Sequence, residues 1–350
     1  MARTNGKPTE DRQDWPRVCA IIVTYGARHQ FLARVLARVV ACGIAQVVVV
    51  FNGNYAANVL LPENCTIVNS PRNLGSAGGF KAGIEAALEL DAEYFLLLDD
   101  DNLLASDCLQ RLLSAWQKLG GTSLTALQAY RPSQPWHRIA VREGVLAVGR
   151  PNTYGWFNVS NEPHLLRRQL AAGDSSFALD VEPQNALVSI SLAAYGGLFL
   201  GREALQLPER PDPRYFCYYD DFDFTDRLVR RGVEIHLCAD ARIEDIDSSW
   251  HALNERVHPT FSPHTADERI YLDLRNAFIF YRSRITSRAF YGLNAVGFWL
   301  GMAYLALFRS ADIGTTKRRL ALICRAVRFG SRGEFAPYDD GQESRPKGQG

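Results

Sequence analysis

Four short runs in the first hundred residues are rich in β-formers: VCAIIVT (Val18 to Thr24), QVVVVF (Gln46 to Phe51), CTIVNS (Cys65 to Ser70) and YFLLL (Tyr94 to Leu98). Three of them are apolar almost throughout, and strands that do not alternate are buried on both faces. Helical spacing separates them. Phe31, Val35, Leu36 and Val39 share one face, SAGGFKAGIEAALEL predicts a helix from about Ser76 to Leu90, and another follows from about Ala105 to Leu119. Strands alternating with helices predict an α/β fold with a mostly parallel central sheet flanked by helices. Ligands of such sheets sit outside the carboxyl ends of the strands, and Asp99, Asp100 and Asp101 fall at such an end.

The pattern is less regular from Ser123 to Ala186, where SLTALQAY and GVLAVG read as strands around an aromatic loop. Regularity returns at ALVSISLAAYGGLFLGREAL. A helix is expected from the DDFDFTDRL stretch to Gly232, followed by strand and loop to Asp247. Residues 1–16 and 336–350 are polar and read as disordered tails; the first lacks the apolar core of a secretory signal.

The chain has 350 residues, 47% hydrophobic, and a net charge of +1, so nothing global points to nucleic acid. Its seven cysteines are scattered without CxxC or zinc spacing, which fits a reduced, cytoplasmic protein. Charge is uneven, however. Ala289 to Phe308 holds no charged residue, Arg284, Arg288 and Arg309 bracket it, and Lys317 to Arg328 reads as a basic amphipathic helix. These features make residues 283–335 a helical extension expected to attach peripherally to an anionic membrane at the cytoplasmic face of the inner membrane. A buried helical hairpin, a homo-oligomer contact and a true span are the alternatives.

Three adjacent aspartates repel one another and resist desolvation, so something must compensate them. In extended chain, Asp99 and Asp101 project to one side, where two hard carboxylates suit Mg²⁺ or Mn²⁺ beside a diphosphate. An acidic turn at a helix start fits equally. A second cluster, Asp220, Asp221, Asp223 and Asp226, lies in YYDDFDFTDRL. It reads either as N-terminal helix charges with an Asp223–Arg227 pair or as the seat of a general base. RNLGSAGGFKAG is a glycine-rich turn without the spacing of a P-loop or dinucleotide motif. Tyr154, Trp156 and Phe157 offer ring faces to a sugar or form a small satellite core.

AIIVTYGA, RNLGSAGGFKAGI, LLLDDDN, YGGLFLGREAL, PRYFCYYDDFDFTDRL and YLDLRNAFIFYR occur in the order found in family 2 glycosyltransferases. Over about Val18 to Arg282 the chain resembles their galactofuranosyl- and rhamnosyl-transferring branch. The resemblance implies a GT-A fold, with residues 17–120 as the nucleotide-sugar half and 121–282 as the acceptor half. It also implies a nucleotide-diphosphate sugar donor, UDP-galactofuranose first and dTDP-rhamnose next, inversion at the anomeric carbon, and a glycan or lipid-linked glycan acceptor. By position, Thr24, Tyr25, Asn52, Arg72, Asn73, Gly75 and Asp100 go to the donor, Asp99 and Asp101 to the metal, and Asp221 to the base. Gly196, Gly197 and Asp223 go to the acceptor side, where Asp220 and, from its ring chemistry alone, Trp156 are further candidates. Two positions depart from the family. Phe51 stands where an Asp usually meets the nucleobase, with Asn52 next, and Asp245 or His251 replaces the usual metal-binding His. A nucleotidyltransferase on a similar fold and a non-catalytic sugar-binding protein are the competing classes. YGARHQFL is a poor version of the basic, glycine-rich stretch expected of the former, and binding alone needs no Asp221.

Overall fold

The computed structural model describes residues 16–339 except 45, 54–58, 145, 147, 162–185 and 248–256. Strands β1 (Val18–Thr24), β2 (Gln46–Asn52), β3 (Cys65–Ser70) and β4 (Tyr94–Asp99) form a parallel block in the order β3-β2-β1-β4. Helices α1 (His29–Ala41) and α2 (Gly75–Leu88) cross between its strands. Strand β5 (Asn102–Leu104) follows the aspartates directly, and α3 (Cys108–Lys118) leads to β6 (Thr125–Tyr130).

The sheet continues without a break past residue 120. Strands β7 (Leu187–Ile190), β8 (Leu198–Gly201) and β9 (Glu234–Asp245) bring it to nine among the described residues, and β8 lies antiparallel between β4 and β6. The parallel pattern therefore holds for the first half, and the second half is mixed. Strand β9 is long because it changes partner. It runs parallel to β6, shifts register where Ala129 pairs with Cys238 but Tyr130 with Arg242, and ends antiparallel to β5 with Asn102 opposite Asp245.

Register aligns the strand ends. Thr24 pairs with Phe51, Val23 with Asp99 and Asn52 with Ser70, so these residues share one edge of the sheet. Both sheet faces are covered, which explains the unbroken apolar runs. Ile21, Val23, Val48, Val50 and Leu97 face Phe80 and Ile84 of α2, while Ala20, Ile22, Val49 and Leu98 face Leu32, Val35, Leu36 and Val39 of α1.

Other expectations are corrected. GVLAVG supplies no strand among its described residues. Pro135–Glu143 instead forms helix α4, which Pro135 opens and left-handed Gly144 closes. The tail expected from residue 336 starts too early, because the Ala336 carbonyl accepts from Arg275 Nη1 at 2.7 Å and from the Tyr271 hydroxyl at 3.1 Å. Short helix α5 (Arg202–Gln206) and α6 (Asp220–Arg230) precede β9, and α7 (Asp267–Arg282), α8 (Arg288–Phe308) and α9 (Ile313–Arg332) follow it. Helices α7 to α9 build a third apolar cluster around Leu274, Phe278, Phe298, Ile323 and Ala326.

Helix α2 lies unusually close to the sheet, since a Cβ on Gly79 would come 2.6 Å from Val23 Cγ1. Gly79→Leu is therefore expected to lower stability by about 1–3 kcal/mol through overpacking. Urea unfolding of the two proteins checks this, and an unchanged midpoint would contradict the close approach.

Candidate active site

At the shared strand edge, two guanidiniums stand among five carboxylates. Arg28, in the loop after β1, donates to Asp100 Oδ1 at 2.8 Å, Asp101 Oδ2 at 3.0 Å and Asp247 Oδ2 at 2.6 Å. Arg131, just after β6, donates to Asp245 through Nε at 3.0 Å and Nη2 at 2.8 Å. Asn102 Nδ2 adds a 2.9 Å bond to Asp245, and Ser133 donates to its other oxygen. Thr24 Oγ1 donates to Asp100 Oδ2 at 2.6 Å.

The three adjacent aspartates thus differ in role. Asp100 is buried and saturated by Thr24 and Arg28; burial still raises its pKa to about 6 against the pull of both partners. Asp101 is held at one side by Arg28, and burial raises it too, with the Asp245 charge adding to the effect. Asp99 accepts no hydrogen bond at its carboxylate among the described residues. Burial pushes it to about 7; Arg131 opposes this, while Asp101, Asp100 and Asp245 add to it. Five carboxylates against two cations leave this edge with excess negative charge. Among the described residues no three His, Cys, Asp or Glu side chains form a ready-made ion cage. Mg²⁺ commonly takes one or two carboxylates with substrate oxygens completing its shell, and Asp99, with no hydrogen bond on its carboxylate, and Asp101 are the two that would serve.

The second acidic cluster starts α6. Asp221 Oδ1 accepts from the Phe222 amide at 2.8 Å, and burial raises Asp221 to about 6, partly offset by that amide and by the charge of Arg131. Arg131 therefore acts electrostatically on Asp99, Asp101 and Asp221 alike. Asp220 is 2% exposed, accepts from Ser76 Oγ at 2.8 Å, and is driven far above the ordinary carboxylate range by burial and by Asp221. Buried and bonded to Ser76, it ties α6 to α2 and offers no direct hold on an acceptor. Asp223 bonds Arg227 at 2.9 Å, the helical pair that the i,i+4 spacing allows.

The loop entering α6 is strained. Phe216, Tyr218 and Tyr219 have φ of 67°, 66° and 62°, a region that costs bulky residues about 1–3 kcal/mol each. Asn276 of α7 holds the loop in place, its Nδ2 lying 2.9, 2.7 and 3.0 Å from the carbonyls of Tyr215, Cys217 and Tyr218. Arg275 reaches the Tyr215 carbonyl at 3.1 Å and the Asn276 side-chain oxygen at 2.7 Å.

Several sequence-assigned residues serve the frame instead of a ligand. Asn52 is 2% exposed, and both ends of its amide are used, on Gly75 O and the Leu74 amide, each at 2.7 Å. It cannot also read a base. Gly75 has φ of +71°, and a Cβ there would sit 2.0 Å from Phe216 O, so its bareness admits the strained loop. A Cβ on Gly196 would lie 2.2 Å from Asn102 Oδ1 and 2.6 Å from Arg131 Nη1, so Gly196 makes room for the charge cluster, and Gly197 is buried behind it. Trp156, Tyr154 and Phe157 pack against Phe278 and Phe298, forming the satellite core and not an open platform. Phe51 is 3% exposed and forms only the floor of a small cleft. The 48%-exposed Tyr25 remains available to stack on a base, lining that cleft with Thr24 and Gly53. Arg72 and Asn73 are exposed on a shallow cleft shared with Lys81 and Pro213. His251 lies outside the described residues.

Comparison with known proteins now identifies the chemistry class. Residues 19–170 match the model of glycosyl transferase family 2, a span that holds Thr24, Arg28, Asp99 to Asp101 and Arg131. Over this span the chain is similar to family 2 glycosyltransferases, and it is read as a glycosyltransferase. Its sheet, flanking helices and helical C-terminal region are those of a GT-A enzyme, and the nucleotidyltransferase and non-catalytic readings are set aside. It is also similar to the galactofuranosyltransferase GlfT1 of Mycolicibacterium smegmatis, 28% identical over 231 residues that cover 64% of this chain and 69% of the relative.

The glycosyltransferase's raised Asp99 gives a signed pH dependence. The folded state keeps a proton on this carboxyl that the unfolded chain has lost, so its contribution to stability falls as pH rises from about 4 to about 7. Asp99→Asn should stabilise the metal-free protein by about 1–2 kcal/mol at pH 8, after allowance for solvent screening, and by little at pH 4. Denaturant unfolding at both pH values checks it; equal effects would contradict the assigned shift.

Proposed function

We propose that this glycosyltransferase transfers galactofuranose from UDP-galactofuranose, with inversion, to a hydroxyl of a growing bacterial-type cell-surface glycan met at a membrane surface. The observation that carries this reading is the 193–196 loop, which meets Arg131 and Asn102 at Gly196 and Thr225 of α6 at Ala193, and so joins the two acidic clusters. It supports a single reaction centre with a donor end at Asp99 and Asp101 and an acceptor end at Asp221. The similarity to a galactofuranosyltransferase supports the donor choice, and dTDP-rhamnose is the competing donor because Phe51 stands in place of the usual base-reading Asp.

Asp221 takes the proton of the acceptor hydroxyl as its oxygen attacks the anomeric carbon. The bond to the diphosphate breaks on the opposite face, and its electron pair leaves with the nucleotide. A pKa of about 6 suits the task, because the group is ionised at neutral pH yet more basic than an ordinary Asp. Asp99 and Asp101 would hold a Mn²⁺ or Mg²⁺, which when bound neutralises the diphosphate leaving group. Asp100, paired with Arg28 and hydrogen-bonded by Thr24, keeps the strand end rigid. Tyr25 stacks on the nucleobase, and alignment of the two substrates supplies the remaining rate.

Asp221→Asn should lower kcat by about 10²–10⁴-fold while donor binding, read by thermal shift with Mn²⁺, stays near wild type. Wild-type kcat/KM should rise with pH through about 6. Asp99→Asn should abolish the Mn²⁺-dependent part of the thermal shift. Normal turnover by Asp221→Asn would remove the base assignment, and a shift with dTDP-rhamnose but not UDP-galactofuranose would reassign the donor.

A further inference from the structure

Helix α8 has two unlike faces. Asn294, Phe298 and Met302, at i, i+4 and i+8, are buried against the protein. Asn294 donates to the Asn152 carbonyl at 2.8 Å and accepts from the Val159 amide at 2.8 Å. The other face is bare: Phe290, Leu293, Val296, Leu300, Tyr304, Leu307 and Phe308 are each 51–77% exposed. At 3.6 residues per turn they fall on one stripe roughly a third of the circumference wide.

Length and composition alone allow the 21-residue helix to span a bilayer. Its packing argues otherwise. A helix fixed along one side to the protein by 294, 298 and 302 offers lipid only its other side, so it lies in the interface plane. Charge indicates which surface it meets. Residues 274–333 contain eleven Lys and Arg and one Asp, in a chain whose net charge is +1. Arg288, Lys317, Arg328 and Arg332 are exposed. An apolar stripe within so basic a segment complements an anionic bilayer. A second copy of the chain fits less well. A stripe about 30 Å long and about 10 Å wide covers on the order of 300 Å², below the roughly 800 Å² per partner of a stable interface, and two such basic segments repel.

We infer that α8 seats the enzyme on an anionic lipid surface by inserting its Phe290–Phe308 stripe tangentially below the headgroups, with the surrounding arginines and lysine on the lipid charges. The coupling to the site is mechanical. Phe298 of α8 packs edge-on against Phe278 of α7 at 6.3 Å between ring centres, and Arg275 and Asn276 on the same helix hold the loop before Asp221. Seating α8 therefore fixes how the reaction centre faces the membrane. This deepens the membrane-surface part of the function proposed above, and a binding assay without turnover separates the two.

The test is flotation of the full-length protein with phosphatidylcholine vesicles and with phosphatidylcholine–phosphatidylglycerol vesicles. The expected result is recovery with the anionic vesicles, little with the neutral ones, and weakening by salt. Leu300→Glu with Leu307→Glu, both on the bare face, should reduce recovery about tenfold or more while leaving the unfolding midpoint unchanged. Equal recovery from both vesicle types, or undiminished flotation of the double variant, overturns the proposal. Sedimentation equilibrium showing a wild-type dimer that the double variant dissociates also overturns it, in favour of a second copy.

Discussion

The buried arginine at the end of β6 is the interaction on which the site depends. Arg131 reaches Asp245 with two nitrogens, while its charge acts on Asp99, Asp101 and Asp221. A guanidinium is kept charged in such a place only by carboxylates around it, and those carboxylates are tolerable only with a cation among them. Arg28, after β1, repeats the arrangement with Asp100, Asp101 and Asp247. The strand registers exist to deliver these groups: Asp99 beside Val23, Asp245 opposite Asn102, and the β9 shift that lets one strand serve both β6 and β5.

The same burial sets the aspartates apart from one another. Asp220 and Asp221 are neighbours, yet one is enclosed with Ser76 and driven far up by burial, while the other keeps an amide donor and the charge of Arg131 and is raised only to about 6. Two adjacent carboxyls driven apart in acidity is the arrangement expected where one is structural and the other takes a proton. The partners mark the division between frame and chemistry, with Asp100 and Asp220 hydrogen-bonded and out of reach and Asp99 left without a bond.

The parallel block was legible because its strands are apolar on both faces, and VCAIIVT and CTIVNS begin and end where the pattern puts them. The two acidic clusters were legible because so much adjacent charge demands compensation. The compensators were not. Arg28 and Arg131 are single arginines in loops, and only the register of β1, β6 and β9 shows that they meet the aspartates. A count of acids at one strand edge would have signalled that local cations were required. Asn52, Gly75 and Trp156 have side chains or bareness suited to a ligand, but tertiary neighbours occupy their polar atoms, their open side or their ring. Helix α4 is hard to read in the sequence because Gln134 is a poor N-cap, and the first-position Pro135 is its one start signal.

The amide nitrogen of Asn276 carries two protons and lies within 3.0 Å of three carbonyls, so at least one proton is shared between acceptors. Its donors are fully committed, and a sugar hydroxyl or a water could recruit one only by releasing a turn of the loop. Neither Asp, which lacks the protons, nor Gln, which is one carbon longer, can occupy that spot without altering the path of the chain. The geometry that presents Asp221 is therefore specified as much by a side chain fifty-five positions further along the chain as by the aromatic residues that precede the acid itself.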